Sequence, residues 1–192
     1  FLEWIERIDP ELFSRLKERI QEGRMELVGG WFIEPDCLLP CGEAFVRHGL
    51  YGQHYLQEKL GVRCHIGFNI DSFGHSGALP QILRKSGMDT YVFMRPRIQQ
   101  SLFCWEGPDG SRVQALCLPG EYTTWFHDPT VKNIQDTLDR TPQWDKMAAF
   151  YGVGDHGGGP TKANIESIRS LKDSFPDTRL HFATLDTFFR EA

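Results

Sequence analysis

The sequence predicts an α/β protein built on mostly parallel strands, and three observations carry that prediction. Short β-type runs alternate with helical stretches along most of the chain. Glycines, prolines and capping residues punctuate the boundaries between them. Three runs deliver an ionisable residue where they end: Asp71, Arg95 and Asp155.

The elements follow in order. Phe1-Leu2-Glu3-Trp4 begins inside a helical pattern. Asp9-Pro10-Glu11 then supplies an N-cap, a proline at the first helical position and an acidic first turn. Leu12, Phe13, Leu16 and Ile20 mark one face of that helix, which Gly23 stops. Met25 to Ile33 reads as a strand ending at Glu34-Pro35-Asp36, and residues 42–60 carry a helical pattern closed by Gly61. Val62 to Ile70 reads as a strand ending at Asp71, Ala78 to Lys85 as a helix closed by Gly87, and Tyr91 to Met94 as a strand ending at Arg95. Gly107-Pro108-Asp109-Gly110 is turn chemistry between two β-rich runs, which predicts an inserted antiparallel hairpin over 101–117. A helix near 131–140 and a strand at Met147 to Tyr151 follow. After them come a glycine-rich turn, a helix from Pro160-Thr161, a strand at Leu180 to Thr184 and a last helix.

The bulk properties narrow the function. The 192 residues are 40% hydrophobic and 24% charged, as in a soluble globular domain, and no apolar run approaches the ~20 residues of a membrane span. A net charge of -5 argues against a nucleic-acid partner, which would favour a basic patch. The chain lacks an initial Met and its last residues read as a helix under way, so an internal piece of a longer protein is expected. Five scattered cysteines, at 37, 41, 64, 104 and 117, offer one close pair and no second pair at zinc-site spacing. They read as buried reduced thiols, which suits a reducing compartment and a cytoplasmic location.

In parallel α/β folds, ligands bind at the carboxyl edge of the strands, where loops vary over a fixed scaffold. Two carboxylates there can perform glycoside chemistry, one as nucleophile and the other as general acid and then base. An adjacent arginine favours the charged form of such a nucleophile. An aromatic residue such as Phe73 can form a wall against a sugar ring. The alternative for Asp71 and Asp155 is capping of helices or turns.

At these residues the sequence resembles glycoside hydrolase family 38, the retaining zinc-dependent α-mannosidases. The segment "NIDSFGHSGALPQILRKSGMDTYVFMR" (69–95) is similar to the family's nucleophile region. The resemblance extends through "EGRMELVGGWFIEPDCLLPCGEAFVRHGLYG" (22–52), "FCWEGPDGSRV" (103–113) and "YGVGDHGGGPT" (151–161), and so over nearly the whole chain. It implies a partial catalytic domain over 1–192, truncated at both ends, with a barrel-like fold of mostly parallel strands.

The resemblance also implies roles at matching positions. Asp71 falls on the nucleophile, which is also a zinc ligand, and Asp155 on the general acid/base. Phe73 falls on an aromatic residue of the sugar pocket and Arg95 on the arginine that supports the nucleophile. Ser72 departs from the proline or valine of many relatives. The resemblance implies further zinc ligands from a His-x-Asp motif, which these residues lack, and from a later His-Asp motif expected beyond Ala192. The segment alone is therefore expected neither to hold zinc tightly nor to hydrolyse mannosides. The implied substrate is an α-mannoside or mannose-containing oligosaccharide, and family enzymes are often oligomeric.

Other residues carry two readings. Trp31, Glu34 and Asp36 either shape the mannose pocket or brace a loop, and His156 either touches substrate beside Asp155 or sits on a surface loop. His75 reads as a residue behind the site or a packing residue, and Glu121-Tyr122 as a distant candidate for sugar contact. His48, His54, His65, His127 and His181 have no spacing that forms a ligand set. Two functional alternatives stand beside the mannosidase. One is a 6-phosphomannosyl glycerate hydrolase, which needs a basic pocket for which Arg95 and Arg97 are the candidates. The other is a non-catalytic module that binds carbohydrate, or phosphate through "GVGDHGGGPTK" at a helix N-terminus.

Overall fold

The computed structural model describes residues 1–124, 130–154, 158–171 and 174–192. Its centre is a four-stranded sheet in the order β1-β2-β4-β3. Strand β1 (Ile66–Phe68) pairs parallel with β2 (Thr90–Phe93), and β2 pairs parallel with β4 (Arg112–Cys117). Strand β3 (Leu102–Glu106) runs antiparallel to β4 at the edge. The predicted hairpin is present, but its second strand is no insertion: β4 is the third parallel strand of the sheet. Among the described residues the sheet is open.

Strand alternation divides the core into two faces. Tyr91, Phe93, Ala115 and Cys117 point into a cluster with Trp31, Phe45, Leu79, Leu83 and Met88. Helices α3 (Gly42–Tyr55) and α4 (Leu79–Lys85) cover this face. Ile66, Ile70, Val92, Met94, Leu116 and Leu118 point the other way, against Phe150, Leu185, Phe188 and Phe189. Helix α7 (Leu185–Glu191) supplies the last three of these. A third cluster packs α1 (Leu2–Ile8) and α2 (Pro10–Gln21) on Leu56 and Leu60, which lie in a π-helical turn continuing α3. Helices α5 (Thr130–Arg140) and α6 (Lys162–Ser170) complete the described elements.

The capping predictions hold where their chemistry is local. The Asp9 carboxylate accepts from the Leu12 N–H at 2.9 Å, with Pro10 opening α2. Thr161 and Asn164 form a reciprocal capping box on α6.

Three predicted strands and half of a fourth are corrected. Met25–Ile33 forms one isolated parallel bridge, Gly29 to Gly67, because Gly29 and Gly30 adopt positive φ of 100° and 66° and break the extended run. The first half of Val62–Ile70 is paired by a side chain instead: Gln53 donates to the Cys64 carbonyl at 2.6 Å and accepts from its N–H at 2.9 Å. Met147–Tyr151 and Leu180–Thr184 have no strand ladder among the described residues. The first is held by Asn133, which donates to the Phe150 carbonyl at 2.6 Å. The second ends where the Glu26 carboxylate accepts from Leu185 and Asp186 N–H, at 2.8 Å each, in the first turn of α7.

Helix α3 lies directly on the 30–32 backbone. A Cβ on Gly52 would come within 2.6 Å of the Phe32 nitrogen and the Trp31 carbonyl carbon. Gly52→Ala should therefore destabilise by about 1–3 kcal/mol through overpacking, although alanine is the better helix former by ~1 kcal/mol. The check is the thermal midpoint, and a midpoint that is unchanged or raised contradicts this contact.

Candidate active site

Parallel register builds the site. The ladder continues past β1 and β2, since Asn69 N–H donates to the Val92 carbonyl and Met94 N–H to the Ile70 carbonyl, both at 3.1 Å. The pairs Ile66–Thr90, Gly67–Tyr91 and Phe68–Val92, extended in the same register, bring Asp71 opposite Arg95. Both residues emerge at the carboxyl ends of neighbouring strands. The Asp71 Oδ1 and Arg95 Nε atoms lie 2.6 Å apart. They are not aligned as a hydrogen bond, and among the described residues neither atom has another hydrogen-bond partner although both are shielded from solvent. The Arg95 guanidinium also lies over the Phe73 ring, 5.2 Å from its centroid. Phe73 is 71% exposed, so its ring is available at the mouth of the site.

A buried polar lattice braces this constellation from behind. Asn69, fully buried, accepts from the Trp31 indole N–H at 2.8 Å and donates to the Pro35 carbonyl at 2.9 Å. Glu34 accepts from the Ile70 N–H at 3.1 Å, and Ser76 N–H donates to the Cys37 carbonyl at 3.2 Å. The 34–39 loop thus clips the 69–76 loop at several points. Burial and the neighbouring Asp71 charge push the Glu34 carboxyl up, against the pull of the Ile70 N–H.

The sequence candidates separate into groups. Asp71, Arg95 and Phe73 come together. Trp31 is buried, edge-to-face with Phe45, and acts on the site through Asn69. Asp36 braces its own loop, accepting from Leu38 and Leu39 N–H at 2.8 and 2.9 Å, bonds that hold its carboxyl below the usual range. Arg97 donates to the Leu118 and Pro119 carbonyls and pairs with Glu121. Its guanidinium is therefore already committed, which weighs against a phosphate pocket. Asp155, His156 and His127 lie outside the described residues. The chain leading to Asp155 is anchored to the segment after β4, where Gly152 N–H donates to the Thr124 hydroxyl at 3.0 Å and Thr124 N–H to the Gly152 carbonyl at 2.8 Å.

The residue that sequence reasoning missed is Asn69. A lone amide inside "HIGFNI" was the available signal, because a polar side chain in a core strand needs partners. His75 takes a definite role. Its Nε2 lies 2.6 Å from the Arg95 carbonyl, which can only accept, so Nε2 carries the proton. Burial holds the ring below the usual histidine range. In the neutral ring Nδ1 then accepts from the Tyr91 hydroxyl at 2.9 Å, and the Tyr91 oxygen in turn faces the Cys37 thiol at 3.6 Å.

Zinc, which the resemblance implies, needs several such donors together. The shielded, unpartnered Asp71 Oδ1 suits one ligand. Among the described residues no group of three His, Cys, Asp or Glu side chains is placed to hold a metal. These residues therefore fit a contribution to a zinc site and do not fit a complete one. Among them, too, no helix is long and apolar enough to cross a membrane.

The chain is similar to known proteins of one family. The family profile described as "Glycosyl hydrolases family 38 N-terminal domain" matches residues 1–192. Alpha-mannosidase G of Dictyostelium discoideum is 34% identical over 198 residues, covering 98% of this chain and 18% of that protein. A putative mannosylglycerate hydrolase of Halalkalibacterium halodurans is 33% identical, covering 88% of this chain and 21% of its own length. The crystal structure of an alpha-mannosidase from Enterococcus faecalis V583 superposes with a TM-score of 0.80 at 21% identity, over 99% of this chain and 23% of that one. The chain thus spans about a fifth of the length of the relatives it matches. On its sequence and its fold together, the chain belongs to the glycosyl hydrolase family 38 N-terminal domain family.

Proposed function

We propose that the full-length protein carrying this chain hydrolyses terminal α-mannosidic bonds with retention of configuration. The carrying observation is the Asp71–Arg95–Phe73 constellation at the carboxyl edge of a parallel sheet. Asp71 attacks C1 as the glycosidic C1–O bond breaks, forming a mannosyl ester. Asp155 gives its proton to the departing oxygen, then takes one from the water that displaces Asp71. Arg95 opposes and orients the Asp71 charge, and Phe73 offers an apolar wall to the sugar ring. When bound, zinc supplies orientation of the sugar hydroxyls and stabilisation of charge near C1 and O2.

Asp71 belongs to that metal's ligand set, with the other ligands outside this segment. The segment alone is accordingly expected to be inactive, as one part of a barrel-like catalytic domain. Of the five cysteines read as buried thiols, Cys37, Cys64 and Cys117 are buried and Cys41 and Cys104 are exposed, and these five free thiols support a cytoplasmic location.

The test is release of the aryl group from an aryl α-mannoside by the full-length protein, before and after a chelator. Activity that falls at least about tenfold with chelator and returns with zinc is the expected result. Full activity in metal-free protein overturns the zinc assignment. An inactive, zinc-loaded protein overturns the simple mannosidase reading. The similarity to a putative mannosylglycerate hydrolase then makes a mannosylglycerate the substrate to try.

A further inference from the structure

We propose that His75 is a positioning residue that sets Arg95 against Asp71, an inference resting on the reading of Asp71 as nucleophile. Arg95 is the first residue beyond the β2 ladder, and Pro96 follows it without an N–H of its own to anchor the chain. The fixation falls to the loop that carries Asp71. That loop meets Arg95 at three points: the Asp71 carboxylate and the Phe73 ring on the side chain, and the His75 Nε2 on the carbonyl, the first and last at 2.6 Å.

The other side of His75 is equally constrained. Its ring lies 5.5 Å from Tyr91 and 4.8 Å from Phe93, edge-to-face with both, and 6.3 Å from Trp105. Tyr91 and Phe93 belong to β2 and are buried. The Tyr91 hydroxyl holds Nδ1, which fixes the ring orientation and leaves Nε2 to donate. His75 therefore ties the end of β2 to the rigid interior of the same strand. A packing role alone would need the ring and neither nitrogen. Both nitrogens are engaged, and one of them acts on the backbone of the arginine beside the nucleophile.

The experiment uses the full-length protein and three substitutions. His75→Phe keeps an aromatic ring and removes both nitrogens, His75→Gln restores one donor and one acceptor, and Tyr91→Phe removes only the hydroxyl that orients Nδ1. His75→Phe should lower kcat on an aryl α-mannoside by roughly 10- to 100-fold, as expected for an ångström-scale misplacement, with KM nearly unchanged. His75→Gln should recover most of that loss, and Tyr91→Phe should move in the same direction by a smaller factor. In an Arg95→Lys background, His75→Phe should cost little more, because the two residues act through one geometry.

Unchanged kcat, or a loss that multiplies fully with that of Arg95→Lys, overturns the proposal. Crystal structures of the wild-type and His75→Phe proteins decide the same point without catalysis. Arg95 Nε should leave Asp71 Oδ1 in the variant, and an unmoved Arg95 overturns the assignment. Should His75→Phe not fold, Tyr91→Phe and His75→Gln carry both readouts. Absence of mannoside hydrolysis in the wild-type protein would sink the functional reading, and the crystallographic comparison would still decide the role of His75.

Discussion

Asp71→Asn in the full-length protein is expected to lower kcat for an aryl α-mannoside by roughly 10⁴-fold or more, as losses of a covalent nucleophile do. The amide has the shape of the carboxylate and cannot form the mannosyl ester, so the loss reports chemistry rather than volume. Stability should hardly change. The Asp71 and Arg95 side chains are each 41% exposed, and pairs of that kind contribute about 1 kcal/mol or less. Thermal melting of the variant should therefore fall within a few degrees of the wild type. Hydrolysis within about tenfold of wild type in Asp71→Asn would remove Asp71 from the chemistry. A variant that is inactive and also unfolded would instead make Asp71 structural, and Asp71→Ser would then repeat the measurement with a smaller side chain.

The core of this site was legible in the sequence because it depends on local rules. Two β-type runs that each end in an ionisable residue, joined by one helix, give a parallel pair, and parallel register then decides that Asp71 meets Arg95. The Asp9 cap was legible for the same reason, since it acts on a residue three positions away.

What sequence reasoning lost depended on contacts distant in the chain. Gln53 completes the backbone bonding of Cys64, so the first half of one apparent strand is not laddered, and Glu26 meets the first N–H groups of α7 where another unladdered run ends. The glycines at 29 and 30 were visible, yet only their positive φ shows that they end the run. Trp31 and Asp36 carried the right motif and an open role. The structure gives them bracing bonds, to Asn69 and to the 38–39 backbone, which no spacing rule supplies.

Replacing Asp155 has the second largest expected effect, and its signature differs in kind from that of Asp71. Asp155→Ala should lower kcat/KM on a natural-type mannoside by roughly 10²- to 10⁴-fold, because the leaving alkoxide then departs unprotonated. A dinitrophenyl mannoside, whose leaving group needs no proton, should still load the enzyme quickly. Release of mannose then becomes slow, since no base activates water, and a burst of phenolate should precede a low steady rate with a depressed KM.

Added azide separates the two carboxylates by stereochemistry. In Asp155→Ala it attacks the mannosyl ester from the face the aglycone left and gives the α-azide. In Asp71→Ala it enters the space vacated by the nucleophile, attacks the substrate directly and gives the β-azide. The same anomer from both variants would break the assignment of two opposed roles. Azide that rescues neither, with both variants folded, would place the second carboxylate elsewhere in the full-length protein.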